Sequence, residues 1–343
     1  MADTLVLRAL RGNAKTLDLG GKKLKRVPKA VGRLRALNRL QLRDNLIAEL
    51  PDELQALHHL TDLNLGNNSL QALPEVLKHL KQLKKLHLFD NKLDKLSPYV
   101  FEALGNLAFL NLNDNKLTTL PDEINRLVEL KYLYINNNRL ESIPRKLCLL
   151  QQLCELHLAN NKLKSLPHDI GYLTNLKKLS MPRNQIQELP EELCILKKLK
   201  VLDVAANQLN IFPTRLLDLK LDEFYFEQNP LLEKNLISSA QQNEVLTLQE
   251  ITARYIMDKL MNNSFRSVLK SYPEVKKILE NASKCALCEK TFLNTWLECV
   301  MFVNLTQKIK MTRPAHVVPV RALLCSYKCF NKPGHQYYGI AMP

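Results

Sequence analysis

The sequence predicts an α/β solenoid of the horseshoe type with about ten 23-residue repeats, followed by a capping helix and a small α+β module built around cysteines. Three observations carry that expectation. One apolar pattern recurs at a nearly constant interval. Each copy passes from the two-residue period of a strand to the spacing of a helix. Two close cysteine pairs occur only after the pattern has stopped.

"LHHLTDLNLGNNSLQALP" returns as "LGNLAFLNLNDNKLTTLP", "LVELKYLYINNNRLESIP", "LQQLCELHLANNKLKSLP" and "LTNLKKLSMPRNQIQELP". The shared form is L-x-x-L-x-L-x-x-N-x-L-x-x-L-P. Its asparagines stand at Asn45, Asn68, Asn91, Asn115, Asn138, Asn161, Asn184, Asn207 and Asn229, with spacings of 23, 23, 24, 23, 23, 23, 23 and 22. Lys22 lies 23 residues before Asn45 in an eroded first copy, "LDLGGKKLKRVP". In Leu110-Asn111-Leu112 the leucines point one way and the asparagine the other, because side chains alternate along a strand. Stacking such segments builds a parallel sheet over a continuous leucine core. The repeat asparagine falls where the chain turns inward, and its amide is suited to satisfying backbone groups of its own and the adjacent coil. Leu-Pro steps such as Leu120-Pro121 leave the strand, and "PDEINRLVEL" then shows helical spacing with proline suited to the first turn.

This motif is that of a leucine-rich repeat, and the copies resemble the short repeats of cytoplasmic, Ras-suppressor-like proteins. The resemblance implies the solenoid fold and says little about what is bound.

Composition narrows the rest. A chain of 343 residues, 46% hydrophobic, can bury a large core, and nine glycines are few for phosphate-binding loops. "MADTLVLRALRGNAK" lacks the apolar run of a secretory signal, and no stretch is apolar enough to span a membrane. The expectation is a cytoplasmic protein whose eight cysteines are thiols or metal ligands. A formal charge of +15 raises nucleic-acid binding by a basic surface, but the excess is spread over the chain without a dense tract.

The outward strand residues form columns on the concave face. The fourth to seventh repeats gather His87, Phe89, Phe109, Asn111, Tyr132, Tyr134 and His157, and the second contributes Arg39 and Arg43. Aromatic side chains on a face expected to be polar point to a protein partner, since exposed rings supply binding energy. The alternative is that the rings pack on one another without a partner. Cys148, Cys154 and Cys194 belong to the ladder, where a small apolar side chain suits a semi-buried convex position.

After the repeats, "LTLQEITARYIMDKLMNN" opens with Thr247 and Glu250 as a capping box and sets Leu248, Ile251, Thr252, Tyr255 and Ile256 along one stripe. Such a helix is expected to cover the last leucine layer of an open solenoid. Thr247, Leu248, Thr252 and Ile256 also resemble the elongin-binding box of cullin-ligase substrate receptors, which implies elongin B/C and a cullin as partners. Two departures stand against it: Thr252 replaces the usual cysteine, and Lys276 stands three after Pro273 where an apolar residue is usual.

Cys285-x2-Cys288 and Cys325-x3-Cys329 bracket "TFLNTWLECVMFV", which alternates as a strand with Leu293, Leu297, Cys299, Met301 and Val303 on one face, and "HVVPVRALL", a second strand. This is the layout of a four-thiolate zinc site with a structural role. Cys299, His316 and His335 are spare ligands, with Cys299 better suited to a core. Reduced core thiols or a redox pair are the alternatives, and no thioredoxin-like βαβ pattern surrounds Cys285.

The domains expected are 1-232 for the solenoid, 233-282 for the helical cap and linker, and 283-343 for the cysteine module. The functional expectation is a non-enzymatic scaffold or adaptor with a protein partner and no small-molecule substrate. No phosphate loop, nucleophile motif or open metal site occurs in the chain.

Overall fold

A computed structural model of the chain describes residues 2–232, 246–259, 271–294, 296–305, 309–311 and 317–339. They form two compact units. The first comprises Met1–Leu209, Leu217–Pro230 and Gln307–Pro314, and the second Asn210–Leu216, Leu231–Thr306 and Ala315–Pro343. No helix among the described residues is long and apolar enough to cross a membrane.

The first unit is the solenoid. Its ten strands are β1 (Thr16–Asp18), β2 (Arg39–Gln41), β3 (Asp62–Asn64), β4 (Lys85–His87), β5 (Phe109–Asn111), β6 (Tyr132–Tyr134), β7 (Glu155–His157), β8 (Lys178–Ser180), β9 (Val201–Asp203) and β10 (Glu223–Tyr225). They pair in sequence order as one parallel sheet. Leu110 lies opposite Leu133 and Leu133 opposite Leu156, so each repeat advances the chain by one strand in register. These central leucines are fully buried, each contributing about 1.5–3 kcal/mol through removal from water.

Between coils, the repeat asparagines carry the polar load. Asn138 Nδ2 donates to the carbonyls of Leu112, Ile135 and Asn136, and its Oδ1 accepts from Leu117 N–H at 3.0 Å. Asn45, Asn68, Asn91, Asn115, Asn161, Asn184 and Asn207 repeat the same contacts. The side chain thus ties each turn to the preceding coil, as the sequence predicted.

The residue before each ladder asparagine is left-handed: Asp44, Asn67, Asp90, Asp114, Asn137 and Asn160 have φ between 51 and 59°. Asp and Asn tolerate this conformation because their short polar side chains bond locally. Arg183, Ala206 and Gln228 adopt it too, at φ 56, 54 and 60°, without that compensation.

On the convex side most coils hold a five-residue 3-10 turn, such as Asp122–Arg126, entered from an extended proline (Pro121, φ −71°, ψ 151°). Proline therefore precedes the turn in these coils instead of opening it. The exception is α2 (Pro98–Ala103), a short α-helix in which proline does occupy the first turn. It lies in the 24-residue repeat between Asn91 and Asn115; one additional residue gives room for the wider α turn.

Two features were not foreseen. An amphipathic helix, α1 (Ala2–Arg11), precedes the first coil and buries Ala2, Val6 and Ala9. At the opposite end, Phe224 N–H donates to Lys310 O at 3.0 Å and Lys310 N–H to Asp222 O at 2.9 Å, adding one bridge beside β10.

In the second unit, α3 (Leu248–Lys259) begins where the sequence placed it, and Thr247 Oγ1 accepts from Glu250 N–H at 3.2 Å. Of the segment 233-282, residues 246–259 and 271–282 are described. The orientation of α3 is the reverse of expectation. Its buried residues are Glu250, Ala253 and Met257, while Leu248, Ile251 and Tyr255 are 79%, 50% and 62% exposed. The apolar stripe is not the packing face, because a charged pair has taken that position. Ala253 and Met257 pack with Leu293, Leu279 and Ala282.

The cysteine module contains a two-stranded ribbon, β11 (Ser283–Lys284) with β12 (Thr291–Phe292). A three-stranded antiparallel sheet places β13 (Leu297–Asn304) between β14 (Val317–Leu324) and β15 (Tyr337–Gly339). The single strand expected over "TFLNTWLECVMFV" is interrupted after Phe292. Leu293 joins the α3 cluster, whereas Cys299 joins Phe292, Ala322 and Leu324 in a separate core. Phe212 adds a parallel bridge to Val320, donating to Pro319 O at 3.0 Å and accepting from Arg321 N–H at 2.9 Å.

Ala206→Gly should raise the stability of the solenoid by about 0.5–1 kcal/mol, because it relieves a left-handed Cβ clash. A thermal melt showing no rise, or a fall, would contradict this account of the turn.

Candidate functional site

Two arrangements of chemically active side chains stand out, one in each unit. The first lies on the concave face. Because β4 to β7 are in parallel register, residues at the same position in successive repeats come side by side. Ring centroids of His87 and Phe109 are 4.8 Å apart, those of Phe109 and Tyr134 5.3 Å, and those of Tyr134 and His157 4.5 Å. Tyr132 flanks this run 6.3 Å from Phe109, and Phe89 lies 6.4 Å from His87. Phe89 reaches that position over Gly66, where a Cβ would collide with its ring.

These rings are half-buried by one another, with Tyr132 37% exposed. Their polar atoms are correspondingly neutral. Burial holds the His87 and His157 imidazoles below their ordinary values and, with help from the Glu155 charge, pushes the Tyr134 hydroxyl up to about 12. Tyr134 Oη donates to Glu155 Oε2 at 3.2 Å, and His157 Nε2 lies 3.1 Å from the same oxygen. Nothing in the sequence neighbourhood of Glu155 marks it as the acceptor joining two rings.

Asn111 is beside the run with its Oδ1 committed to Asn113 N–H at 3.0 Å. Arg39 and Arg43, two strands from His87, are not part of it. Arg39 pairs with Asp62 at 3.1 Å and Arg43 with Asp44 at 3.5 Å.

The second arrangement is the cysteine cluster. Cys285 and Cys288 sit in the turn between β11 and β12; Cys325 follows β14, and Cys329 lies in the short helix Tyr327–Phe330. Their four sulfurs all lie within 4.8 Å of one another. Cys325 Sγ is 3.6 Å from both Cys288 Sγ and Cys329 Sγ. That separation excludes a disulfide at about 2.05 Å and matches the edge of about 3.8 Å expected for a sulfur tetrahedron around an ion with bonds of about 2.3 Å. The four cysteines named from spacing are thus arranged to hold a metal ion.

The sulfurs of the cluster differ electrostatically. Burial acts to raise the Cys285 thiol, but N–H groups of Cys288, Cys325 and Leu287 outweigh it and bring it down to about 7. Burial pushes Cys325 up to about 12, and it also raises Cys329. Four thiolates cannot crowd together without a cation to balance them.

The spare ligands separate cleanly. Cys299 is buried in the apolar core and pushed up to about 12 by that burial. His335 is engaged with backbone, one nitrogen on Phe330 O and the other accepting from Tyr337 N–H at 3.2 Å. His316 lies outside the described residues. Cys148 and Cys194 are fully buried instead of semi-buried, and burial raises Cys148 to about 12. Cys154 is half-buried, with its sulfur on Gln152 O at 3.4 Å.

Helix α3 reaches this cluster through one buried ion pair. Glu250 is wholly inaccessible to solvent. Its carboxylate accepts from Leu293 N–H at 3.1 Å, Asn294 N–H and Arg254 Nε. Arg254 Nη2 in turn donates to Cys325 O at 3.0 Å. Two side chains one helical turn apart therefore tie α3 to the segment after β12 and to the second cysteine pair. Burial alone would raise the Glu250 carboxyl, but these donors outweigh it and hold it below the ordinary carboxylate value. The capping-box spacing identified Glu250 as a helix-start residue, not as the anchor it is. Thr247 and Thr252 flank the exposed Leu248; Thr252 Oγ1 donates back to Leu248 O at 2.7 Å, and Ile256 is half-buried.

Fold and repeat chemistry together define a leucine-rich-repeat protein, a class that mediates protein–protein interaction. A family model for a leucine-rich repeat region matches residues 93–307, and one for the leucine-rich repeat matches residues 12–70 and 35–93. A leucine-rich-repeat protein of Leptospira interrogans superposes with a TM-score of 0.60 at 35% identity, covering 67% of this chain and 65% of the other. Leucine-rich repeat-containing protein 69 of Xenopus laevis is 56% identical over 344 residues, 100% of both chains. The protein of the same name from Mus musculus is 46% identical over 126 residues, 36% of each. The chain belongs to the leucine-rich repeat-containing protein 69 family.

Replacing Glu250 with alanine should cost about 3–5 kcal/mol in the second unit, since Arg254 and two buried N–H groups lose their acceptor. Hydrogen exchange at α3, Leu293 and Asn294 should accelerate while the amides of β1–β9 stay protected. Because the folded carboxyl is depressed, its contribution is present above the unfolded value and lost as pH falls through the folded one. Unchanged exchange in the variant would remove the anchor from the account.

Proposed function

We propose that this chain is a non-enzymatic interaction scaffold that takes a protein partner on its concave face. The observation that carries the reading is the aromatic run from His87 to His157, flanked by the exposed Tyr132. Ring-on-ring packing accounts for part of their burial. It does not explain why successive strands place apolar rings on a surface where asparagine or serine would leave the fold intact. Half-buried rings held rigid by neighbours lose little side-chain freedom on binding, which suits them as anchors.

The cysteine cluster is a structural zinc site held by Cys285, Cys288, Cys325 and Cys329. Four thiolates without histidine form a donor set that structural zinc takes. Four protein ligands leave no position for a reacting water, so the ion would join the two knuckles and supply no catalysis.

A second reading is an adaptor function for α3. Leu248 is 79% exposed on the face opposite the buried Glu250 and Ala253, so the segment resembling an elongin-binding box is accessible. Lys276 lies in the helix Pro273–Leu279 and pairs with Glu280 at 3.7 Å, which leaves the cullin-selecting departure in place.

Affinity purification of the full chain tests both surfaces together. Phe109→Ala combined with Tyr134→Ala should remove the partners retained by the wild-type protein. Leu248→Asp should remove elongins B and C if the adaptor reading holds, and leave the other partners. An interactor set unaltered by the double variant would exclude the concave face, and absence of elongins from the wild-type sample would end the adaptor reading.

Purified, folded protein should contain about one equivalent of zinc. Chelation should unfold the second unit while the solenoid keeps its melting transition. Metal below a tenth of an equivalent in a folded sample would refute the site.

A further inference from the structure

Charge is unevenly distributed along the concave face. In β1 to β4, Arg39 and Lys85, with Arg43 beyond β2, stand near balance with Asp18 and Asp62. In β7 to β10, Glu155, Asp203 and Glu223, with Glu227 two residues past β10, face a single strand cation, Lys178. Lysine and arginine outnumber acidic residues 34 to 26 over positions 1–230. The carboxylates therefore collect here against the trend of the surrounding chain.

Glu223 is already served by Lys310 at 3.3 Å and Tyr225 at 3.1 Å. Glu155 and Asp203 differ. The ring partners of Glu155 are Tyr134 and His157, both neutral for the reasons given above, and a carboxylate offers about four lone-pair sites. Its charge is thus hydrogen-bonded but not balanced by those partners, and the one strand cation beside it, Lys178 opposite it on β8, also acts on Asp203. Asp203 is half-buried and accepts from Ser180 Oγ and Ala205 N–H, each at 3.2 Å. Burial, with the neighbouring charge of Glu227, pushes its carboxyl up against the pull of these two donors and of Lys178. A cation arriving at this end would relieve both.

Spacing gives the ligand a shape. Adjacent strands are about 4.8 Å apart, so the level of Tyr132 on β6 and that of Asp203 on β9 are about 14 Å apart. An extended polypeptide rises about 3.4 Å per residue and returns to the same face every second residue, so positions i and i+4 lie on one face about 13.5 Å apart. The two distances agree.

We propose that the concave face receives an extended polypeptide segment that places an apolar or aromatic side chain on Phe109 and Tyr132 and a lysine or arginine four residues away over Asp203. This inference rests on the concave-face reading and adds the chemistry and spacing of the partner.

Panning random dodecapeptides on the full-length protein tests it. Enriched sequences should carry an apolar residue with Lys or Arg at the fourth position from it. In the double variant Glu155→Gln, Asp203→Asn the amides keep the acceptor atoms, so an unchanged thermal melt is expected. The basic preference should disappear while the apolar anchor persists. A synthetic consensus peptide should lose about tenfold in affinity when its cation becomes glutamine.

Neutral or acidic motifs that depend on Phe109 and Tyr134 would overturn the charge inference and leave the aromatic site standing. A basic preference that survives in the amide variant would also overturn it. No enrichment on the wild-type protein, or enrichment indifferent to Phe109 and Tyr134, would overturn both.

Discussion

The solenoid depends on satisfying the backbone at each inward turn. A turn drawn into an apolar core carries N–H and C=O groups that water cannot reach, and each left unpaired would cost about 1–3 kcal/mol. The ladder asparagine meets this with one side chain, reaching carbonyls of its own coil and of the preceding coil while accepting an N–H from that coil. A contact repeated at a fixed interval also fixes the interval. Insertion of one residue between Asn91 and Asn115 is accommodated on the convex side, as the α-helix Pro98–Ala103, and leaves strand register intact.

That register creates the concave site. Once strands are stacked, side chains at equivalent positions are neighbours whatever their separation in sequence. His87, Phe109, Tyr134 and His157 form a continuous run although each pair is a full repeat apart. The same geometry brings Glu155 under two rings and Asp203 beside Ser180. The arrangement of side chains on this face is a consequence of the core's periodicity, with the leucines setting the spacing that the outward residues use.

The second unit follows a different logic. It has no repeat, and besides its small sheets and apolar clusters it is held by two local polar arrangements: four sulfurs within 4.8 Å and the Glu250–Arg254 pair. Burying that pair would be costly without donors for the carboxylate, and the amides of Leu293 and Asn294 supply them. The pair occupies the inner face of α3, which leaves Leu248, Ile251 and Tyr255 outside. An apolar stripe read from helical spacing thus ended on the opposite side from the one hydrophobicity alone would choose.

Periodicity by itself determined the ten repeats, the direction in which each leucine points, the asparagine ladder and the columns of the concave face, because these follow from alternation along a strand and a constant interval. Spacing also named the four cysteines, since two short pairs present four sulfurs wherever the chain brings them together. The N-terminal helix Ala2–Arg11, the left-handed residue before each asparagine, and the choice of 3-10 over α turns were not legible, because each depends on how a coil closes against its neighbour. Which face of α3 is buried, the acceptor role of Glu155, and the bridge from Arg254 to Cys325 were decided only by tertiary structure. They rest on contacts between residues 21 to 71 positions apart, and no local pattern in the sequence encodes a partner at that distance.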